Sequence, residues 1–406
     1  MIRLDGDALS LPGLATAHSH AFQRALRGRT HRPLAPSRGG ASFWSWRGLM
    51  YELAAKLDPD TIYALSRYAY VEQAMSGVTA VGEFHYVHHQ PDGQPYDDRT
   101  ALADAVVRAA IDAGLRVCLL RVLYQRPGLG RALEPTQRRF SDADVDDALR
   151  DVETLRARWA AEPRVRVGVA PHSVRAVPLE GVRAGAAFAE EHSLPFHMHV
   201  SEQRREVREC LAEHGRRPVQ LLADEGVLTD RFVGVHATHL DAREIAALGA
   251  SRAFACVCRT TERDLGDGLP SLTPMLAAGA RLCFGTDSHA ISDPFEEARA
   301  AELDERSRLE RRALVDAGAL LGAASAEGYA AIGMAGLETE DRVTLDGPEL
   351  AGAAPPYEDA VVFAANARCV RTVEVAGARI VEDGVHRDYA EARADYERAV
   401  RGLIDD

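Results

Sequence analysis

The chain has almost no lysine. Of its 406 residues only Lys56 is one, while Lys+Arg total 48 against 61 Asp+Glu, a formal charge of −13. A single lysine removes several mechanisms together. A Walker-type phosphate loop needs a Gly-Lys-Ser/Thr, a pyridoxal-phosphate or Schiff-base enzyme needs a reactive lysine, and some binuclear hydrolases need a carbamylated lysine between two metals. Lys56 lies in Ala-Ala-Lys-Leu-Asp-Pro, which reads as the end of a helical run and suits none of these. Arg-dense tails are also lacking, so neither nucleic acid nor a membrane surface is an expected partner of this acidic chain. No apolar run approaches the ~20 residues that cross a bilayer. The opening Met-Ile-Arg-Leu-Asp-Gly-Asp does not read as a signal peptide. Cysteines are few and unpaired in sequence. Cys118, Cys210, Cys256, Cys258, Cys283 and Cys369 form no CxxC, and four of them fall in apolar strand-like runs. Buried reduced thiols in a cytoplasmic protein are the expectation.

What is present is a large apolar fraction, 46%, arranged in a rhythm. Short apolar, β-branched runs alternate with amphipathic helical stretches, the pattern of a parallel sheet with crossover helices. Eight such runs occur, at 14–20, 78–86, 115–124, 165–172, 194–202, 232–239, 253–261 and 281–289. They predict an α/β fold, a (β/α)8 TIM barrel, in which catalytic groups sit at the C-terminal ends of the strands. The run ends fit: Thr-Ala-His-Ser-His, Gly-Glu-Phe-His-Tyr, Ala-Pro-His-Ser-Val-Arg, His-Met-His-Val-Ser-Glu, Val-His-Ala-Thr-His and Gly-Thr-Asp-Ser-His, where most of the 15 histidines collect. Two long connections interrupt the rhythm. Residues 29–50 carry Pro33, Pro36, Gly39 and Gly40 before Ser-Phe-Trp-Ser-Trp-Arg, and 125–140 is rich in Arg, Gly and Pro. Loops of such length are commonly functional or mobile. Residues 293–333 read as helices. From 337 to 388 a small β unit of short strands and turns is expected, at Arg-Val-Thr-Leu-Asp-Gly, Asp-Ala-Val-Val-Phe and Val-Arg-Thr-Val-Glu-Val-Ala-Gly-Ala-Arg-Ile-Val-Glu-Asp-Gly, and a final helix from about Tyr389. The predicted division is thus a remnant of a small β domain at 1–13, the barrel at 14–336, the β unit at 337–388 and the helix at 389–406.

His18 and His20 are two apart on a predicted strand, so both imidazoles leave the same face, toward the barrel mouth. A lone His-x-His pair is weak evidence, because strand histidines are often hydrogen-bonded core residues. Joined by His199 after the fifth strand and Asp287 after the eighth, it gives three neutral imidazoles and one carboxylate. That is a mononuclear set with room for a water, as expected of catalytic zinc. Glu202 lies three residues past His199, where a carboxylate can shuttle a proton to a nitrogen leaving group. His236, ending the sixth strand, can hold or deprotonate the water. Singly these two read as well as a surface glutamate and a buried structural histidine; beside the metal set the chemical roles are preferred. His197, His239 and His289 are assigned supporting roles, and His85, His88 and His89 are loop histidines without evident geometry.

Leu-Pro-Gly-Leu-Ala-Thr-Ala-His-Ser-His, followed in order by His-Val-Ser-Glu, Val-His-Ala-Thr-His and Gly-Thr-Asp-Ser-His, resembles the metal-dependent amidohydrolase superfamily. Further segments are similar to its branch that deiminates N-formimino-L-glutamate in histidine degradation: His-Ser-His-Ala-Phe-Gln-Arg-Ala, Ser-Phe-Trp-Ser-Trp-Arg, Gly-Glu-Phe-His-Tyr-Val-His-His, Ala-Pro-His-Ser-Val-Arg-Ala and Thr-Thr-Glu-x-x-Leu-Gly-Asp-Gly. The resemblance implies one zinc, or another divalent metal, per subunit on His18, His20, His199 and Asp287. It implies proton transfer by Glu202, His236 and Asp287, and substrate contacts from Gln23, Arg47, Tyr86, His172 and Arg175. It also implies a small dianionic substrate and a cytoplasmic homodimer. The two arginines make sense on their own terms, since a substrate with two carboxylates needs donors that arginine offers as bidentate forks.

The resemblance has gaps. The family commonly starts with several tens of residues of a small β-sandwich, whereas about a dozen precede Leu14 here. The sandwich unit is therefore expected to be shortened at its N-terminal side, leaving the C-terminal strands without partners and with apolar edges exposed. Arg259 stands where proline is expected, and Arg263 and Asp264 form a charged pair where the family is smaller and neutral, which bears on substrate contacts. The nearest rival is another aminohydrolase of the superfamily, acting on a nucleobase or guanidino compound; such a substrate would leave Arg47 and Arg175 unpaired. A binuclear phosphotriesterase-like enzyme is disfavoured by His172 and by the missing lysine. A metal-free binding barrel would show losses among the six chemical residues, and none is missing.

Overall fold

The computed structural model describes residues 2–5, 8–32 and 42–404. Residues 33–41, with Pro33, Pro36, Gly39 and Gly40 of the first long connection, lie outside these. After β1 (Arg3–Asp5) and β2 (Ala8–Pro12), the eight predicted runs become β3 (Leu14–Ser19), β4 (Val78–His85), β5 (Arg116–Leu123), β6 (Val165–Pro171), β7 (Phe196–Val200), β8 (Phe232–His236), β9 (Phe254–Val257) and β10 (Arg281–Phe284). Helices cover the outside, so the strands are buried on both faces and read as unbroken apolar runs; every residue of β4 and β5 is buried. Several helices begin on residues suited to it. Asp58, Asp144 and Asp241 each accept from the third backbone N–H of the helix that follows, satisfying a donor with no partner inside the helix.

The strands from β3 to β10 hydrogen-bond in sequence order as one parallel sheet. A parallel bridge between Ser19 and Asp287 joins its two edges. There His20 N donates to Asp287 O at 3.0 Å, and Asp287 N to His18 O at 3.0 Å. Glycine permits the close approach on both flanks of β3. A Cβ at Gly82 would stand 2.5 Å from Ala17 O, and one at Gly285 would stand 2.7 Å from Cys258 Sγ and 2.8 Å from His18 Cβ.

The small domain differs from expectation. β11 (Arg342–Leu345), β12 (Val370–Val375), β13 (Ala378–Glu382) and β14 (Val385–His386) form an antiparallel sheet with β1 and β2, in the order β1-β2-β11-β12-β13-β14. The C-terminal strands therefore do have partners. β2 runs along β11 with Leu11 opposite Val343 and Leu9 opposite Leu345, and all four side chains are buried. A five-residue strand with alternating burial is enough to cover that edge. Asp359 to Phe363, read as a strand, is instead part of a short helix, Glu358–Phe363. It buries Val361 and Val362 and packs on helices Pro294–Leu309 and Ala317–Ala324; a short apolar run does not distinguish strand from buried helix. Ser-Phe-Trp-Ser-Trp-Arg is likewise no loop. It opens helix Phe43–Ala55, where Ser42 and Ser45 form a capping box.

All six cysteines are buried and free. Among the described residues no helix is long and apolar enough to cross a membrane. Lys56 does follow a helix end, and its Nζ donates at 2.7 Å to Leu403 O, in the last turn of helix Tyr389–Ile404. That helix packs on Pro59–Met75, with the Tyr68 and Tyr396 rings 4.6 Å apart.

Barrel and small sheet are latched by charge. Arg116, at the start of β5, donates from Nε and Nη2 to the two oxygens of Asp341 at 2.8 and 2.9 Å. The same carboxylate accepts from Tyr329 Oη at 2.6 Å and Ala376 N at 2.8 Å. Both members of the ion pair are buried, and without Asp341 the buried guanidinium would keep only Glu340, which is more than half exposed, at 2.9 Å. Asp341→Ala should cost about 3–5 kcal/mol, measured as a shift of the chemical denaturation midpoint at unchanged slope. A loss below about 1 kcal/mol would show that the pair is not a latch.

Candidate active site

Three imidazoles and a carboxylate converge at the C-terminal mouth of the barrel. His18 Nε2 lies 3.2 Å from His199 Nε2 and 3.5 Å from Asp287 Oδ1, and His20 Nε2 lies 3.4 Å from the same oxygen. Ligands at zinc's 2.0–2.1 Å, placed tetrahedrally, are about 3.3 Å apart, which these three spacings match; His18, His20 and His199 form one group able to hold a metal, and Asp287 also falls in a second group with His236 and Cys258. The tautomers agree. His20 Nδ1 donates to Phe84 O at 2.9 Å and His199 Nδ1 to His172 O at 3.1 Å, leaving each Nε2 lone pair free to coordinate. Burial holds His18 and His199 far below the ordinary imidazole pKa, and burial with His18 alongside lowers His20 to about 3. All three are neutral at physiological pH, as ligands must be.

The surrounding backbone is strained where the chemistry is. Ser201, His236, Ala237, Asp287 and His289 all have positive φ, from 50° to 69°, a region that costs non-glycine residues of order 1–3 kcal/mol each. Those turns carry the side chains of β7, β8 and β10 into the mouth. Behind β3, Glu83 accepts from Ser19 Oγ at 2.6 Å and Ala21 N at 2.8 Å, and Ser19 Oγ is 2.9 Å from His289 Nε2. The stretch from His18 to His20 is thereby fixed on both sides.

His236 stands beside the cluster. Its Nε2 is 3.7 Å from Asp287 Oδ2 and 3.8 Å from Glu202 Oε1, while its Nδ1 faces Glu262 Oε1 at 3.4 Å. Burial alone would depress its pKa, but the carboxylates of Glu202, Glu262 and Asp287 outweigh burial and raise it to about 10. Burial, opposed by His236, holds Glu202 above the ordinary carboxylate range, so this carboxyl has a raised affinity for a proton. Arg259, at the site of the expected proline, is buried and donates to Glu262 Oε2 at 2.5 Å and to Asp304. Arg263 pairs with Asp304 and Glu296, and Asp264 with His31. None of the three lines the cleft; Arg259 supports the carboxylate behind His236.

A cleft opens above the cluster, lined by His20, His199, His236, Asp287 and Glu202 at its floor and by Gln23, Arg47, Tyr86, His172 and Arg175 around them. With buried His18 beneath, the structure assembles all eleven residues singled out in the sequence. Gln23 Nε2 donates to Tyr86 Oη at 2.8 Å, and its Oε1 is unpartnered. Arg47 projects from helix Phe43–Ala55 against Trp44 and Tyr51, with a buried Nη1 that has no partner. Arg175 donates from Nη1 only to Pro127 O, at 2.9 Å. The helix that carries Arg47 is held by Arg139, whose buried guanidinium donates to Ala54 O, Leu57 O and His89 O, carbonyls at the helix end and beyond it. His88 and His89, read as loop histidines, are buried and bonded to Val122 O and Ser141 O. His197 binds Ala331 O and has no part in the cleft. Sequence reasoning missed Tyr124, Tyr51, Phe140, Trp46 and Met50 of the wall, and Glu262. Tyr124 had a signal, since it ends the third predicted strand.

The sequence profile of the amidohydrolase family matches residues 9–377. The chain belongs to the amidohydrolase family. Formimidoylglutamate deiminase of Pseudomonas aeruginosa is 40% identical to it over 414 residues, covering 97% of this chain and 88% of that one, and the two are homologues. The 5'-deoxyadenosine deaminase of Methanoregula boonei is 29% identical over 331 residues, covering 80% and 67%. Among solved structures, an amidohydrolase from Brucella melitensis superposes with a TM-score of 0.90 at 33% identity, over 99% of this chain and 95% of that one. An adenosine deaminase from Xanthomonas campestris with bound zinc gives 0.81 at 22% identity, over 98% and 87%, a likeness of fold. The chain thus has a family barrel with a His-rich set of potential metal ligands at its mouth.

The amidohydrolase site depends on how closely β10 approaches β3. Gly285→Val touches no ligand atom but would press a branched side chain into His18. Metal analysis and competition with a chelator should show one divalent ion per chain in the parent protein and an affinity at least about tenfold lower in the variant. Equal affinity in a folded Gly285→Val would refute this dependence.

Proposed function

We propose that the chain hydrolyses N-formimino-L-glutamate to N-formyl-L-glutamate and ammonia, with zinc as its metal, as a cytoplasmic step of histidine degradation. The observation that carries this reading is the pair Arg47 and Arg175. Most arginines of this acidic chain are spent on carboxylates, yet among the described residues neither of these two forms an ion pair, and both face the cleft. A dianionic substrate supplies the missing partners. A neutral nucleobase would leave two guanidinium groups desolvated and unpaired, which disfavours the deaminases of bases and nucleosides.

The reaction adds water across the formimino carbon and breaks its bond to the terminal nitrogen. Zinc held by His18, His20, His199 and Asp287 would supply Lewis acidity and bring the pKa of a water toward ~7. Arg47 and Arg175 hold the substrate's acids so that the formimino carbon lies over the cluster. His236, kept protonated by the carboxylates around it, orients the attacking water, and Asp287, 3.7 Å away, takes up its proton. Glu202, 3.8 Å from His236, delivers that proton to the departing nitrogen; its raised pKa suits a group that must hold a proton and release it. Ammonia leaves, and the formyl oxygen is the one that water supplied.

Ammonia release from N-formimino-L-glutamate, beside guanine, cytosine and N-formimino-L-aspartate, tests the reading. The first compound should be the preferred substrate of metal-loaded protein; no release from it would refute the proposal. Glu202→Gln should retain the metal and lose turnover by about 10²- to 10⁴-fold. Near-parental activity of that variant would remove Glu202 from proton transfer.

A further inference from the structure

Tyr124 follows directly on β5 and its side chain is 2% exposed. Its hydroxyl is buried, lines the cleft and has no hydrogen-bond partner. Its polar neighbours are the Tyr51 hydroxyl and the Arg175 guanidinium, and neither meets it in full hydrogen-bond geometry. The residue is firmly held: its carbonyl accepts from Asp142 N at 2.8 Å, and the Asp142 carboxylate is gripped by Arg121 at 2.6 Å. The ring is wedged edge-on between His172, at 5.4 Å, and Phe140, at 6.3 Å. A fixed, buried hydroxyl without a partner is costly unless something completes it. The hydroxyl's proton is free for an acceptor, and with Arg175 and Arg47 beside it as well as Tyr51, the acceptor that fits is an anion.

Position decides which anion. His172 packs on His199 at 4.9 Å and the Tyr124 ring packs on His172 at 5.4 Å, so His172 stands next to the ligand cluster and the Tyr124 ring next to His172. With the formimino carbon over the cluster, the α-carboxylate is one carbon from the substituted nitrogen and the side-chain carboxylate three. We propose that the Tyr124 hydroxyl donates to the side-chain carboxylate of the substrate, between Arg47 and Arg175, and is a binding residue that selects for a second acid. This rests on the substrate reading above.

Tyr124→Phe removes only the hydroxyl and keeps the ring packing. On metal-loaded protein, calorimetry should show N-formyl-L-glutamate binding weakened roughly 10- to 100-fold, and N-formyl-L-glutamine, whose side-chain acid is an amide, weakened less than about threefold. Kinetics with N-formimino-L-glutamate should show KM raised and kcat nearly unchanged, as for a contact made equally in ground and transition states. Unaltered binding of N-formyl-L-glutamate, or equal weakening of acid and amide, would overturn the assignment while parental activity left the substrate reading intact. A parental protein that neither binds N-formyl-L-glutamate nor releases ammonia from N-formimino-L-glutamate overturns both.

Discussion

The parallel bridge between Ser19 and Asp287 closes the barrel and builds the metal cluster in the same contact. Its two backbone hydrogen bonds are made by His18, His20 and Asp287, residues whose side chains are three of the four converging ligands. A ligand tetrahedron tolerates a few tenths of an ångström, and here that tolerance is set by the sheet's own closure rather than by flexible loops. Gly82 and Gly285 flank β3 because any side chain there would push the first strand out of line. The left-handed residues at the ends of β8 and β10 are held against their conformational cost by the same closure.

Charge has been distributed with similar economy. Arg116 latches the two domains, Arg139 caps the helix that carries Arg47, and Arg259 steadies Glu262 behind His236. Each of these guanidiniums is buried and satisfied by carboxylates or carbonyls. Arg47 and Arg175 differ in that, although they line the cleft, neither is paired with a carboxylate among the described residues. Recognition and scaffolding thus use one residue type, and what separates them is whether the fold itself provides the acceptor.

Much of this was legible in the sequence because barrel strands advertise themselves. Burial on both faces forces continuous apolar runs, and the polar residues that end those runs must be at the mouth, so His18, His20, His199, His236 and Asp287 could be placed without coordinates. The small domain was harder. Val361 and Val362 sit in a stretch too short for periodicity to tell helix from strand, and β2 was discounted although Leu9 and Leu11 alternate as a half-buried strand should. Arg259 stood out only as a missing proline, and its support of Glu262 was not foreseen, because a helix turn after β9 brings both residues behind His236. Tyr124 did end a predicted strand, but a tyrosine there looks like core until its hydroxyl is seen to lack a partner.

Lys56 ends as more than an absence. Its amine is exposed, sits outside the cleft and holds the last turn of the helix Tyr389–Ile404. Amine-directed labelling therefore has one side-chain address on this molecule, outside the cleft, besides the chain's own α-amino group, whose lower pKa lets the two be addressed at different pH.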